Sequence, residues 1–432
     1  MIADVHHAAP VRVGLLGCGN VGGALAALLA EEGDGLFART GLRLELTRIA
    51  VRNTAKRRGP DVPEHLLTND AASVVAADDV DVVVELIGGI EPARSLILDA
   101  LKAGKPVVTA NKELVADLGE ELFQAAAAAG VDLLFEAAVA GGIPIMRPLR
   151  ESLAGERLTR IMGIVNGTTN YILTKMEAGE AYGEALAEAQ SLGFAERDPT
   201  ADVEGFDAAA KASIIATLAF GQKVVSGDVA REGISSLTPA DFAFARRMGF
   251  VIKLLAVVER HDDESVSARV HPSLVPLDHP LASVRDSFNA VFVEGDAVGE
   301  LMFFGRGAGG RPTASAVLGD LLDAAHSLRG GAPGRLPQPG RARIRPFEDL
   351  ASAYYVSLLV RDQPGVLALV AGAFGRNGVS IRSMEQEGAP GGDARIDFIT
   401  HTATERDVQA TLAELRELDV VDAIGGLIRV VA

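Results

Sequence analysis

The residues Gly17-Cys18-Gly19-Asn20-Val21-Gly22 decide the fold of the N-terminal part of the chain. They follow the apolar run Val11–Leu16 and precede the helix-forming run Ala24–Ala30. In a strand–turn–helix unit, Gly17 would permit the tight turn, Gly19 would let a pyrophosphate approach the backbone, and Gly22 would let helix and strand pack closely. Free N–H groups and the helix dipole would favour an anion at the start of the helix. The six residues therefore predict a dinucleotide-binding turn that includes Asn20 and Val21.

Short apolar runs alternate with helix-forming runs through residues 1–142, which we take as the first domain. The later apolar runs are Leu42–Val51, Val80–Ile87, Pro106–Thr109 and Val131–Ala138. Nearly continuous apolar strands between helices are typical of a parallel sheet covered on both faces, so we expect an α/β fold with a Rossmann-type sheet. Ligands of such sheets lie beyond the carboxyl ends of the strands. The residues at those ends that we predict to bind the cofactor are Gly88, Thr109 and Lys112.

Basic residues follow the second predicted strand. A carboxylate there would bind the ribose 2′-hydroxyl of NAD, whereas an arginine can pair with the 2′-phosphate of NADP. This chain has Arg52 at the strand end and Lys56 one turn later, which favours NADP and leaves NAD as the alternative. Together with Arg57 and Arg58, the same residues could instead form a solvated basic face.

Three further segments follow the first domain. Residues 143–328 mix strand-like and helical runs and indicate an α+β domain for substrate binding and dimerisation. Its last helix, 313–328, is a candidate to return to the first domain, so the division need not be a single cut. Residues 329–349 are rich in Gly, Pro and Arg, which is typical of a linker. Residues 350–432 have a strand–helix–strand–strand–helix–strand order, which is the ferredoxin-like arrangement.

The densest group of polar residues lies between positions 196 and 211. It comprises Glu196, Asp198, Asp202, Glu204, Asp207 and Lys211. Asp207 and Lys211 share one face of the helix they open, and the largely apolar stretch 212–220 indicates that this helix is buried. A lysine near buried surface with a carboxylate beside it is a candidate proton donor, and the other carboxylates could hold a substrate ammonium group. An acidic solvated loop with an ordinary surface ion pair is the alternative.

Composition excludes several function classes. The chain has 41 basic and 58 acidic residues, a net charge of −17 and a pI of about 5.0. This balance argues against binding to nucleic acids or anionic membranes, which needs basic surface. A single cysteine rules out a disulfide framework and a multi-cysteine zinc site. Residues 1–10 lack a secretory signal pattern, and no run of about 18 apolar residues predicts a membrane span, so we expect a cytoplasmic protein.

Taken together, the motifs resemble those of the homoserine dehydrogenase family over essentially the whole chain. The segments that carry the resemblance are Gly17–Gly22, Thr109–Lys112, Phe135–Pro144, Gly163–Asn170, Gly193–Lys211 and Gly307–Ala316. Residues 359–381 are similar to an ACT domain, a module that binds amino acids at domain interfaces. The resemblance implies an enzyme that interconverts L-homoserine and L-aspartate 4-semialdehyde with NAD(P). This reaction is a step in threonine, methionine and isoleucine biosynthesis.

The resemblance also implies roles for particular residues. Lys211 corresponds to the catalytic lysine and Asp207 to its carboxylate partner, while Lys112 corresponds to a second active-site lysine beside the nicotinamide. Which lysine donates the proton stays open. The residues implied to bind the substrate are Glu196, Asp202, Gly167 and Thr168, and the residue implied to contact the cofactor is Gly309.

A monovalent-cation site is a further implication. The family binds sodium in a loop that corresponds to Glu136, Val139, Gly141 and Ile143, through carbonyl oxygens and one carboxylate. Because carbonyl ligands have no side-chain signature, the residues themselves neither favour nor exclude the site.

The ACT resemblance implies feedback regulation by threonine. The effector would bind near Asp362, Gly365 and Asn377. The alternative is a domain that only aids oligomerisation. In either case we expect a homodimer or a homotetramer.

Two other functions fit part of the sequence. A non-catalytic amino acid sensor built on a Rossmann module would bind its ligand without hydride transfer, but it would need neither Lys112 nor Lys211. An aldehyde-forming acyl dehydrogenase needs a nucleophilic cysteine, and Cys18 lies within the glycine turn.

Overall fold

The computed structural model describes residues 9–330, 340–389 and 393–431. The contacts of the chain divide it into two compact units that alternate along the sequence. The first unit contains Met1–Leu158, Ala210–Asp228 and Asn289–Ala342, and the second contains Thr159–Ala209, Val229–Phe288 and Arg343–Ala432. Of the predicted linker 329–349, residues 331–339 lie outside the described part of the chain.

The first unit is built on a six-stranded sheet. Its strands are β1 (Val11–Leu16), β2 (Leu44–Ala50), β3 (Leu67–Thr68), β4 (Val82–Glu85), β5 (Val107–Thr109) and β6 (Leu133–Leu134). Every pairing is parallel, and the order across the sheet is β3-β2-β1-β4-β5-β6. The predicted Rossmann-type sheet is confirmed. The strand order reverses beside β1, which is where open sheets of this kind bind dinucleotides.

Helices cover both faces of this sheet. They are α1 (Asn20–Thr40), α2 (Ala71–Ala76), α3 (Ala93–Lys102), α4 (Lys112–Ala129) and α10 (Gly310–Gly330). Helix α1 buries Leu25 and Ala26 against the strands and ends where Gly41 adopts a left-handed conformation with φ 68°. Helix α10 buries Ala314, Val317 and Leu321 in the same core, so it packs with the N-terminal sheet although it is almost 300 residues away from β1 in the chain.

Four further strands lie wholly or mostly in the first unit. They are β8 (Gln222–Lys223), β12 (Phe288–Gly295), β13 (Gly299–Arg306) and β14 (Gly340–Arg341). Strand β12 lies beside β13, and β14 pairs in parallel with β8.

The second unit begins with a mixed layer of helices and long antiparallel strands. Its elements up to residue 276 are β7 (Leu158–Ile164), α5 (Gly167–Glu177), α6 (Tyr182–Ser191), α7 (Thr200–Val203), β9 (Ala230–Arg231), α9 (Pro239–Arg247), β10 (Phe250–Arg260) and β11 (Val266–Pro276). Helix α8 (Phe206–Phe220) begins in this unit, and its residues from Ala210 onward belong to the first unit. Strand β10 pairs with β11 along the full length of both strands, and its other edge pairs with β7. This mixture of helices and antiparallel strands confirms the expected α+β fold class of the part of the chain that follows the parallel sheet.

The C-terminal segment has the predicted strand–helix order. Its elements are β15 (Ala351–Arg361), α11 (Val366–Arg376), β16 (Ile381–Ala389), β17 (Asp393–Thr400), β18 (Ala403–Thr404), α12 (Glu405–Arg416) and β19 (Val421–Val430). The four main strands lie in the order β19-β15-β17-β16 and are antiparallel to their neighbours. Strand β11 continues this sheet, because Ser273 and Leu274 pair in parallel with Arg429 and Val430 of β19.

Within the described ranges, no helix combines the length and the apolarity that a membrane span requires.

The close approach of helix α1 to the glycine turn gives a test of the fold. A Cβ added to Gly22 would lie 2.4 Å from the carbonyl oxygen of Gly17, so we expect Gly22→Ala to lower the free energy of unfolding by about 1–3 kcal/mol. Gly23→Ala is the matched control. Outside its own helix, the described residues place nothing within 4 Å of an added Cβ there, and the change should stabilise the helix by about 0.5–1 kcal/mol. Urea unfolding measures both values, and equal effects would contradict the close packing.

Candidate active site

The glycine turn has the geometry that a pyrophosphate needs. Gly17 has φ 97° and donates its N–H to the carbonyl of Ala50 at 2.9 Å, and an added Cβ would lie 2.6 Å from the carbonyl oxygen of Leu86. Gly19 is different, because nothing among the described residues lies within 4 Å of a Cβ built there. Gly19 also provides no side-chain cap for α1. The open face at Gly19 and the uncapped helix start therefore fit a bound phosphate.

Glu85 organises the two loops beyond the carboxyl ends of β4 and β5. Its carboxylate is fully buried and accepts hydrogen bonds from the N–H groups of Ile87 and Gly88 at 2.7 and 3.0 Å. Its second oxygen accepts the hydroxyl of Thr109 at 2.6 Å. Two of the predicted cofactor-binding residues, Gly88 and Thr109, are thus held by one carboxylate. Glu85 lies within the predicted apolar strand Val80–Ile87, and sequence reasoning assigned it no role.

Asn111 fixes the start of helix α4, whose first residue is Lys112. Its side-chain oxygen caps the helix by accepting the N–H of Leu114 at 3.2 Å, and its side-chain nitrogen donates to the carbonyl of Gly89 at 2.6 Å. The backbone N–H of Asn111 donates to the hydroxyl of Thr109 at 3.0 Å. Lys112 is half-buried at this junction.

A second glycine-rich segment lies beside the first glycine turn. Gly309 has φ 117°, and the next residue, Gly310, begins α10. A Cβ added to Gly310 would lie 3.0 Å from the carbonyl oxygen of Asn20. The structure therefore brings Gly309 to the part of the sheet where the sequence predicts the cofactor.

The basic residues after β2 divide into two groups. Arg52 and Lys56 are exposed. Arg58 instead holds the loop, donating to the carbonyls of Lys56 and Asn53 at 2.9 and 3.0 Å. Burial raises the pKa of the Cys18 thiol, and the charge and a hydrogen bond of the Arg58 guanidinium oppose this rise. Its Nε is buried without a hydrogen-bond partner among the described residues, a feature that the sequence did not distinguish within the basic run.

In the second unit, the side-chain amide of Asn166 joins two of the predicted carboxylates. Its nitrogen donates to Asp202 at 2.7 Å and to Asp207 at 2.9 Å. Its oxygen caps helix α5 by accepting the N–H of Thr169 at 2.9 Å. Three elements, α5, α7 and α8, therefore meet at one amide group. Asn166 stands in the motif Gly163–Asn170, but sequence reasoning assigned it no role.

The other predicted substrate residues lie around the first turn of α5. The hydroxyl of Thr168 donates to the carbonyl of Phe194 at 2.6 Å, which holds the 193–196 loop beside Gly167 and Thr168. Glu196 is exposed, and its carbonyl accepts the side-chain nitrogen of Gln190 at 3.0 Å. The carboxylate of Glu196 is thus accessible to a ligand.

Lys211 lies one turn after Asp207 on helix α8. It is half-buried, and the residues that follow it, among them Ala212, Ile214 and Ile215, are buried. The predicted buried helix is confirmed. Asp207 belongs to the second unit and Lys211 to the first, so both units contribute residues to α8.

The loop predicted to bind sodium is held by the side chain of Glu136. Its carboxylate accepts the N–H groups of Ile145, Met146 and Arg147 at 2.5, 2.8 and 2.8 Å. A carboxylate has about four acceptor positions, so these three donors leave it able to accept a further ligand. Ala140 and Gly141 both have left-handed backbones, with φ 56° and 54°. No cluster of three His, Cys, Asp or Glu side chains that could hold a metal was found within the ranges that the structure describes.

The predicted effector residues do not meet within one chain. Asp362 and Gly365 are exposed and precede helix α11, whereas Asn377 follows its last residue. Asn377 donates to the carboxylate of Glu414 on α12 at 2.7 Å and so links the two helices. An 11-residue helix is about 16 Å long, which is more than a small amino acid spans.

Comparison with known proteins identifies the family. Residues 17–136 match the family model of the homoserine dehydrogenase NAD-binding domain, residues 144–322 match that of homoserine dehydrogenase, and residues 354–420 match that of the ACT domain. The homoserine dehydrogenase of Mycobacterium tuberculosis is 51% identical over 431 residues, which cover 97% of each chain. The chain belongs to the homoserine dehydrogenase family. The expected family, the oxidoreductase activity, the nicotinamide cofactor and the C-terminal ACT domain are thereby confirmed.

Other relatives agree with this assignment. The homoserine dehydrogenase of Corynebacterium glutamicum is 51% identical over 426 residues, covering 97% of this chain and 95% of the relative. A crystal structure of a homoserine dehydrogenase from Thiobacillus denitrificans superposes with a TM-score of 0.91 at 42% identity, covering 98% of both chains. A hyperthermophilic archaeal homoserine dehydrogenase in complex with NADPH matches with a TM-score of 0.63 at 29% identity, covering 74% of this chain and 98% of that one.

The bridging amide of Asn166 gives a test of the site. Asn166→Asp keeps a good helix cap but replaces the shared donor by a third carboxylate, so Asp202 and Asp207 would lose their common partner. We expect kcat/KM for homoserine to fall about 100-fold, in line with a loss of substrate positioning. The melting temperature should also fall, because the buried added charge repels Asp202 and Asp207.

Asn166→Ser is the control, because serine caps a helix and adds no charge. Its kcat/KM should be less reduced than that of Asn166→Asp. Equal activity of Asn166→Asp and the unmodified chain would contradict the bridging role.

Proposed function

We propose that the chain reversibly reduces L-aspartate 4-semialdehyde to L-homoserine with NADPH, in the cytoplasm, as part of threonine, methionine and isoleucine biosynthesis. The observation that carries the proposal is the placement of Lys211 one turn after Asp207, with Asp207 joined to Asp202 through Asn166. An amino acid substrate carries an ammonium group, and carboxylates held in place by hydrogen bonds are suited to bind it. In this proposal Asp202 and the exposed Glu196 hold that ammonium, and Gly167 and Thr168 line the substrate.

The chemistry of the reduction requires a proton at the oxygen of the aldehyde. When bound, the dinucleotide supplies the hydride to the carbonyl carbon, and negative charge develops on the oxygen. An ammonium group aimed at that oxygen stabilises the transition state more than the ground state. We assign this group to Lys211, with Asp207 keeping its side chain in place. Lys112, at the start of α4, adds a second positive charge beside the nicotinamide.

Replacing Lys211 tests the catalytic role. We expect Lys211→Ala to lower kcat by about 10²–10⁴-fold, because the proton donor is lost, and to leave the Kd for NADPH unchanged. Absorbance of the nicotinamide during incubation with homoserine and NADP measures turnover, and fluorescence titration measures binding. The exposed Lys102 provides the control Lys102→Ala, which should turn over normally.

Turnover of Lys211→Ala near that of the unmodified chain would remove the assignment. Ligand binding by the unmodified chain with no nicotinamide reduction would instead favour the amino acid sensor.

The preference for NADP rests on the basic residues after β2. Arg52 and Lys56 follow the end of β2 and are exposed, so their side chains are available to pair with a 2′-phosphate. Arg58, in contrast, makes hydrogen bonds within the loop. The unpartnered Nε of Arg58 is a further donor for a phosphate near the glycine turn. A homologous archaeal structure holds NADPH, as stated above, which supports the same choice here.

Arg52→Ala should separate the two cofactors. We expect kcat/KM for NADPH to fall about tenfold, as for the loss of one charge-assisted phosphate contact, while the value for NADH stays the same. The neighbouring exposed residue gives the control Arg57→Ala, for which both values should be unchanged. Equal losses with both cofactors would favour a general effect on the fold over recognition of the 2′-phosphate.

Sodium binding is retained as a proposal. We assign the cation to the loop that contains Glu136, Val139, Gly141 and Ile143, where carbonyl oxygens and one carboxylate would hold it, as the family resemblance implies. Oxygen atoms are the ligands that a hard monovalent cation accepts. The left-handed pair Ala140 and Gly141 gives this loop the sharp bend by which successive carbonyls could converge.

Threonine regulation is proposed as a property of an oligomer. Asp362 and Gly365 are separated from Asn377 by the length of α11, so one threonine could contact all three only where two copies of the chain meet. This arrangement agrees with the expected homodimer or homotetramer.

We also retain the domain limits 1–142, 143–328 and 350–432, with helix α10 packed on the first sheet.

Asp362→Ala tests the effector site. We expect inhibition by threonine to be lost while kcat without threonine is unchanged, because Asp362 is exposed and far along the chain from the substrate residues. Asp419→Ala changes an equally exposed carboxylate of the same domain and should keep the inhibition. Activity measured over a threonine titration gives the answer, and superimposable curves for the unmodified chain with and without threonine would remove the regulatory proposal.

A further inference from the structure

A buried arginine joins the last strand of the ACT domain to the substrate domain. The side chain of Arg429 on β19 is only 3% exposed. Its two terminal nitrogens donate to the two carboxylate oxygens of Glu232 at 2.8 Å each, and its Nε and Nη2 donate to Glu405 at 3.1 and 2.7 Å. Bidentate pairs of this kind fix geometry as well as charge. Glu232 follows strand β9, and all three residues belong to the second unit.

The segment that carries Glu232 is anchored on the side of β11. The backbone N–H of Glu232 donates to the carbonyl of Val270 at 2.8 Å. The preceding residues, Ala230 and Arg231, pair with β11. The segment therefore has two supports, the hydrogen bonds to β11 and the ion pair with Arg429.

The same segment holds the turn between the two substrate carboxylates. Ile234 donates its N–H to the carbonyl of Val203 at 2.8 Å, and a Cβ added to Gly233 would lie 2.5 Å from that same oxygen. A Cβ added to Gly205 would lie 3.5 Å from the carbonyl oxygen of Glu232. Residues 203–205 lie between Asp202 and Asp207, the two carboxylates that Asn166 joins.

We propose that Arg429 and Glu232 are positioning residues for substrate binding. Their ion pair fixes the position of the 232–234 segment, and this segment fixes the position of the 203–205 turn. This turn determines where the carboxylates of Asp202 and Asp207 lie. The proposal rests on the proposed function, since it takes these carboxylates as substrate ligands. A displacement of about 1 Å at a binding group is enough to change activity by a large factor. The ACT domain thereby acts on the substrate site through a residue of its own last strand.

A second ion pair between the same two parts of the chain provides a matched control. Arg247, at the end of α9, donates to Glu385 of β16 through Nε at 3.2 Å and Nη2 at 3.0 Å. The Glu385 side chain is 42% exposed and that of Glu232 is 41% exposed. Both pairs fasten the ACT domain, but among the described residues the backbone hydrogen bonds of the 203–205 turn come from elements other than α9 and β16.

The experiment compares Glu232→Ala with Glu385→Ala in the full chain, using homoserine and NADP. For Glu232→Ala we expect the KM for homoserine to rise about tenfold, with the KM for NADP and the melting temperature close to those of Glu385→Ala. Glu385→Ala should keep both KM values within about twofold of the unmodified chain. A KM for homoserine in Glu232→Ala that equals that of Glu385→Ala overturns the proposal.

Two further variants make the result decisive. Arg429→Lys keeps a positive charge but only one contact, and its KM for homoserine should fall between those of the unmodified chain and Glu232→Ala. If Glu232→Ala does not fold, Glu232→Gln keeps the shape of the side chain and serves the same comparison. An unchanged KM for homoserine in Glu232→Gln and Arg429→Lys then overturns the proposal.

Asp202→Asn separates this proposal from the proposed function. If Asp202→Asn leaves the KM for homoserine unchanged, Asp202 is not a substrate ligand and the proposed function fails at that residue. If Asp202→Asn raises this KM and Glu232→Ala does not, only the positioning proposal fails. If both raise it and Glu385→Ala does not, both stand.

Discussion

The candidate substrate site depends on the side-chain amide of Asn166, whose nitrogen and oxygen make different hydrogen bonds. The nitrogen of Asn166 is the common donor for Asp202 and Asp207, and its oxygen is the cap of helix α5. Two carboxylates so close together repel each other unless a donor or a cation lies between them. Because the helix cap fixes which end of the amide faces the carboxylates, the fold of α5 and the charge arrangement are determined by the same side chain.

An equivalent arrangement exists on the cofactor side. There a buried carboxylate, Glu85, collects donors from two loops, and Asn111 caps α4 while its nitrogen holds the carbonyl of Gly89. In both cases a helix begins at an asparagine that also contacts a neighbouring loop. The glycine residues leave space for the ligand, and Glu85 and Asn111 hold the loops that surround this space.

Much of this architecture was predictable, because the deciding signals are local. The glycine turn, the apolar parallel strands and the strand–helix order of the ACT domain all follow from spacing within short segments. Asn166, Arg58 and Arg429 were not assigned roles, since the side-chain partners of Asn166 and Arg429 on other elements lie 24 to 197 residues away and those of Arg58 depend on how a loop folds back. The three hydrogen bonds to the Glu136 carboxylate were not predicted for a similar reason, because their donors are backbone groups and have no sequence signature.

The alternation of the two units along the chain has a consequence for evolution. The backbone passes from one unit to the other five times between Leu158 and Arg343, so exchange of either unit with a relative would need several recombination breakpoints at once. The ACT segment is different, because it is one uninterrupted stretch after residue 343. A single breakpoint could attach or remove it, provided that Arg429 and the substrate segment at Glu232 remain matched. Matched changes at these two positions are therefore the trace that such an exchange would leave in related sequences.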